Sequence, residues 1–141
     1  MYKKTGAQLS MYDYVMPFDG VLDQENRWMV LASEIDWVAL EDEYSRQFKS
    51  SSGNLALPAR MAFATLVIRE ALGLTDAATM RAILESPYLQ YFIGLNSFTT
   101  EPPFSARSIA GLRKRFAPER VSAAARRLRE LTKGQGKHGS L

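Results

Sequence analysis

The stretch between Pro58 and Gly73 carries Met61, Phe63, Ala64, Leu66, Val67, Ile68 and Ala71. At about 100° per residue these side chains cover nearly the whole circumference of a helix. A helix that is apolar on every side belongs at the centre of a domain, with other elements wrapped around it. Pro58 suits its first turn and Gly73 its end. A membrane span is excluded as the explanation, because the longest apolar run, 61–68, is interrupted by Thr65 and falls far short of a bilayer. With 141 residues the chain has material for one such core and no comfortable second.

The flanking sequence supplies the wrapping. Trp28, Leu31, Ala32 and Ile35 share one face of a helix predicted over 26–35, and Trp37, Leu40, Tyr44 and Phe48 share one over 37–48. Ser50-Ser51-Ser52-Gly53-Asn54 reads as a loop. Thr75 is placed to cap a helix buried through Met80, Ile83 and Leu84, with Asp76 near its positive end. Pro87 stops that helix and opens a short turn over 88–93, closed by Gly94. Glu101-Pro102-Pro103 is a stiff break, after which Ser105 caps a helix to Phe116 and Pro118 opens another to about Thr132. No alternating β-branched run exceeds a few positions. The expectation is an all-α fold: a compact bundle of about six or seven helices, 26–132, preceded by an extended arm, 1–25, and followed by a disordered tail, 133–141.

Residue inventory removes several classes of chemistry. There is no cysteine, and the one histidine, His138, lies in a polar tail. Disulfides, thiolate zinc sites and a Ser–His–Asp triad are therefore excluded, and no metal or cofactor is expected. Glu41-Asp42-Glu43 reads as the solvated side of an amphipathic helix. Lys3 and Lys4 are followed by no apolar run of the signal-peptide kind, so a soluble cytoplasmic protein is the expectation.

Charge is unevenly distributed. Residues 1–100 hold eight Lys/Arg against twelve Asp/Glu, a net of −4, whereas 101–141 hold ten against three, a net of +7. A basic end on an acidic body suggests either a polyanionic partner or a solvated face. In the helix predicted over 105–116, Ile109, Leu112 and Phe116 form the core stripe. Arg107, Gly111 and Lys114 lie opposite, with Arg113 and Arg115 flanking the stripe. Glycine inside a helix costs about 1 kcal/mol relative to alanine. Gly111 thus either permits close approach of a neighbouring backbone or of DNA, or reflects drift at an exposed position. The last helix repeats the pattern, with Val121, Ala124, Ala125, Leu128 and Leu131 as the stripe and Arg120, Arg126, Arg127 and Arg129 around it. Two such helices joined at Ala117-Pro118 are a helix-turn-helix-like arrangement, although the preceding pair fits its first helix equally well.

The runs Gly73-Leu74-Thr75-Asp76, Glu85-Ser86-Pro87-Tyr88-Leu89-Gln90-Tyr91-Phe92-Ile93-Gly94-Leu95, Pro103-Phe104 and Leu112-Arg113-Lys114-Arg115-Phe116 resemble a known family. They are similar to the N-terminal domain of bacterial insertion-sequence transposases of the DDE type, the InsH-like subgroup. Leu22-Asp23-Gln24-Glu25-Asn26-Arg27-Trp28 and Pro58-Ala59-Arg60-Met61-Ala62 fit the same pattern, and the likeness covers roughly residues 8–130. The resemblance implies a helical domain that binds the terminal inverted repeats of the element, followed by an RNase H-like domain whose acidic triad holds two divalent ions. Nothing in this chain resembles that second domain, so a truncated transposase without catalytic activity is expected. Arg107 stands where the family more often carries a small polar residue.

Duplex DNA is accordingly the expected partner, gripped by Arg107, Arg113, Lys114, Arg115, Arg126, Arg127 and Arg129. The alternatives are a module that pairs with itself or with an intact transposase through incompletely covered apolar faces at Val121, Ala125 and Leu128, or a remnant without function.

Overall fold

In the computed structural model, residues 17–48 and 56–138 are described, the last four as backbone alone. The first sixteen residues of the expected arm, the expected loop at 50–54, and residues 139–141 of the expected tail lie outside the described residues. Seven α-helices and no strands occur among the described residues. They are α1 (Arg27–Glu34), α2 (Trp37–Ser45), α3 (Ala59–Leu72), α4 (Asp76–Glu85), α5 (Pro87–Phe92), α6 (Ser108–Leu112) and α7 (Pro118–His138).

Helix α3 is the axis of the bundle. Ala62, Phe63, Ala64, Leu66, Val67 and Ile68 are all buried, and α2, α4, α5, α6 and α7 pack around it. Its end is a left-handed turn at Gly73, φ +64°, where the N–H of Leu74 donates to the Arg69 carbonyl at 3.0 Å. Thr75 caps α4 as expected, and Asn26 and Ser86 do the same for α1 and α5. The Asn26 side chain accepts from Trp28 N at 2.8 Å, Thr75 Oγ1 from Ala78 N at 3.1 Å and Ser86 Oγ from Leu89 N at 3.3 Å.

A continuous aromatic chain ties these helices together. Trp28 meets Phe92, Phe92 meets Trp37, Trp37 meets Phe63, Phe63 meets Phe116, and Phe116 stacks flat on Tyr44, with centroid distances of 5.1 to 6.3 Å. Contacts at this range add to the hydrophobic gain of burying each ring. Through Phe116, the basic segment is rooted in the core.

Pro17–Gly20 forms a turn in which Phe18 and Asp19 both take positive φ (55° and 56°). A non-glycine residue adopts that conformation only when its surroundings enforce it. Here Phe18 is buried with Leu22 and Met29 beside Tyr88, Tyr91 and Leu95, and its N–H donates to the Asn96 carbonyl at 2.7 Å.

Several elements differ from the sequence expectation; the helix predicted over 37–48 ends at Ser45, and the turn predicted over 88–93 is the six-residue helix α5. The helix predicted from 105 to 116 is a five-residue α6 followed by a 3-10 turn, Arg113–Arg115. Ser105 does not cap α6, whose N-cap position is Arg107 with no side-chain hydrogen bond; the Ser105 hydroxyl accepts from Arg107 N at 3.1 Å in the turn before the helix. The last helix, predicted to stop near Thr132, runs on through Gly134 and Gly136 to His138.

Candidate nucleic-acid interface

The apolar anchors of the C-terminal basic segment lie as their spacing requires. Ile109 and Ala125 are fully buried and Leu128 is 1% exposed, while Leu112, Phe116 and Val121 are also within the core. The face expected to be left open at Val121, Ala125 and Leu128 is therefore closed, covered by α3 and α1. This removes the feature that suggested pairing with a second chain through that face.

The cations divide into three groups. Arg113 and Arg127 are in ion pairs. Arg113 Nη2 donates to Asp76 Oδ1 at 2.9 Å, an oxygen that also accepts from Arg69 Nε at 2.6 Å. Arg127 Nε and Nη2 fork onto the two carboxylate oxygens of Glu34, both at 2.8 Å, and Nη1 reaches Glu130 at 3.4 Å. Arg120 is likewise paired with Glu43, so that member of the Glu41-Asp42-Glu43 run joins two helices instead of facing solvent alone. The expectation of an entirely outward cationic face is thus corrected: the acidic body neutralises part of the basic end from within.

A second group rests on neutral partners. The Arg115 guanidinium lies 4.5 Å from the centre of the Phe48 ring, and Arg129 Nη2 donates to the Glu70 carbonyl at 3.4 Å. Neither has a carboxylate partner among the described residues. The third group, Arg107, Lys114 and Arg126, is exposed and makes no side-chain ion pair or hydrogen bond with any described residue.

The 3-10 turn explains why three consecutive cations have three different fates. At three residues per turn, successive side chains leave about 120° apart. Arg113 is aimed at α4, Arg115 at Phe48, and Lys114 between them into solvent. The α-helical projection, with Lys114 opposite the core stripe and Arg113 and Arg115 beside it, gives the same three directions but not the partners.

The pairs set the electrostatics. Hydrogen bonds from Arg127 hold the Glu34 carboxyl below its ordinary range, and Glu34 in turn raises Arg127. Burial pushes the Asp76 carboxyl up, but the hydrogen bonds and charges of Arg69 and Arg113 together outweigh it and hold the group low. Among the described residues, no three acidic or imidazole side chains converge as they would around a metal ion. None of the helices is long and apolar enough to cross a membrane.

Residues 16–115 match the model of the family described as "Transposase domain (DUF772)". The chain belongs to that family. The matched segment ends at Arg115, so it holds α1 through α6 and the 3-10 turn and stops short of α7. The transposase domain is also 25% identical, over 101 residues, to a Rhizobium meliloti protein described as "Uncharacterized protein ORF8 in nfe locus". That likeness covers 72% of this chain and 48% of the relative, so the chain spans about half the length of the relative it matches. No solved structure matches.

Of the side chains that shape this face, Glu34 carries no signal in spacing; Asp76 is read only as favourable to the start of its helix, Glu43 only as solvated, and Arg120 only among the cations around the last stripe. The pairs Glu34–Arg127, Glu43–Arg120 and Asp76–Arg113 span 93, 77 and 37 residues of sequence, beyond the reach of any helical periodicity.

Proposed function

We propose that this transposase domain binds duplex DNA in transposition, at the terminal inverted repeats of its element, through the outer side of α6, the 3-10 turn and α7. The observation that carries this reading is that Arg107, Lys114 and Arg126 have no carboxylate partner among the described residues, on a segment whose apolar side is locked into the core. Arg115 and Arg129, on neutral partners, add to the same positive field. Arg113 and Arg127 hold the segment in place and reach phosphate only by exchanging a carboxylate for it. The α6–α7 pair then acts as a helix-turn-helix-like unit.

Most contacts of this kind go to phosphate and fix register, while a smaller number read bases. Phosphate neutralisation releases counterions, so binding must weaken steeply with salt. A gel-shift series with an inverted-repeat duplex and a scrambled duplex, over rising salt, tests the proposal. Salt-sensitive binding, tighter for the repeat, is the expected result. Duplex binding indifferent to salt, or no binding at low salt, overturns it.

A further inference from the structure

Gly111 sits inside α6 on its exposed side, and a Cβ built there would meet nothing within 4 Å. Its backbone is ordinary helix, so neither a left-handed turn nor a close neighbour within the domain calls for glycine. The fold would be more stable with alanine. Arg107 stands four residues before it and Lys114 three after, spacings that place all three on one side of the helix. These two are among the cations that lack a carboxylate partner among the described residues.

We propose that Gly111 is a close-approach point for a sugar–phosphate strand, which crosses α6 between Arg107 and Lys114. A side chain at 111 would hold the strand off by at least the length of a Cα–Cβ bond, about 1.5 Å, and draw both cations out of reach of their phosphates. The duplex fits this face by charge. The α6 segment and its 3-10 turn, 107–115, carry four cations and no acid, and only Arg113 is neutralised. The inference rests on the DNA-binding reading above and adds to it a particular backbone contact.

The test compares the full chain with Gly111→Ala and Gly111→Leu, using a mixed-sequence duplex of about 30 base pairs and thermal melting. Alanine is expected to raise Tm by about 2–5 °C while weakening binding. Leucine is expected to weaken it further, by about tenfold, the scale of one lost charge-assisted contact. Lys114→Gln should lower the salt slope by about 1 in the glycine background and by clearly less in the leucine background. A structural glycine would lose stability on substitution, and a drifted one would leave Kd unchanged; either outcome overturns the inference. If the parent chain fails to bind the duplex at low salt, the broader DNA-binding reading falls first. If the parent binds and both variants bind equally well, only the role of Gly111 falls.

Discussion

Gln90 is wholly buried, a rare position for an amide, and its hydrogen bonds show why it is tolerated. Nε2 donates to the carbonyls of Ile83, at 3.1 Å, and Thr99, at 2.9 Å, and Oε1 accepts from Thr99 N at 2.8 Å. One side chain therefore pins the connection between α5 and α6 to the end of α4. Replacing Gln90 by Leu removes both bonds to Thr99 and leaves the Ile83 carbonyl only the 3.4 Å bond from Ser86 N, and chemical denaturation should show a loss of about 3 kcal/mol. Close by, Gly94 at φ +100° lies against the Arg60 side chain, whose guanidinium is 4.6 Å from the Trp37 ring centre and 5.2 Å from that of Tyr91. The run from Glu85 to Leu95 announced a turn in sequence, through Pro87 and Gly94. Nothing in its spacing announced that the one amide among its aromatics would hold a loop nine residues away.

Among the elements, those bounded by strong local signals were legible: α3 from its all-round apolar pattern and Gly73, and α4 from Thr75 and Pro87, whereas Pro87 gave only a turn where the helix α5 forms. The break after α6 was not. Gly111 stands two residues before it, but the spacing reads that glycine as mid-helix, and the change to a 3-10 turn at Arg113 accompanies the burial of Phe116 between Tyr44 and Phe63, a tertiary demand. Phe116→Ala should accordingly cost about 3–5 kcal/mol and weaken any DNA binding along with it, since the same ring roots the basic turn; melting and gel shift on one preparation check both. The ion pairs between elements carry a pH signature. Glu34 and Asp76 both have depressed carboxyl pKa values, so the unfolded chain takes up protons at these groups before the folded one does. Their stabilisation is complete above the ordinary carboxylate range, about pH 4–4.5, and is lost as pH falls through the lower folded values. Melting temperature should drop as pH is lowered from about 5 to 3, and the Glu34→Gln, Asp76→Asn double variant should show a flatter profile. Equal slopes for the two proteins would remove these pairs as the cause.

For the whole molecule, the division into an acidic body and a basic end was visible from composition, and so was a positive C-terminal layer. What could not be read was how far the two halves neutralise each other, because Arg113–Asp76, Arg120–Glu43 and Arg127–Glu34 exist only once the chain has folded. The folded count changes the expected salt response. Seven phosphate-binding cations would give a slope of log affinity against log salt near −6, whereas three unpaired and two neutrally seated ones give about −3 to −5. A measured slope near −6 would mean that duplex phosphates displace Glu34 and Asp76 from their arginines.

The aromatic chain through the core has an optical consequence. Both tryptophans of the protein belong to it: Trp28 is nearly inaccessible beside Phe92, and the Trp37 indole donates to the Ala32 carbonyl at 2.8 Å under the Arg60 guanidinium. Their ring contacts are with Phe92, Phe63, Arg27 and Arg60, none of them among the seven cations expected to meet DNA. Intrinsic fluorescence should therefore shift to the red when the bundle melts and stay unmoved as duplex is titrated in, so that one emission spectrum separates a ligand that docks from one that unfolds its host.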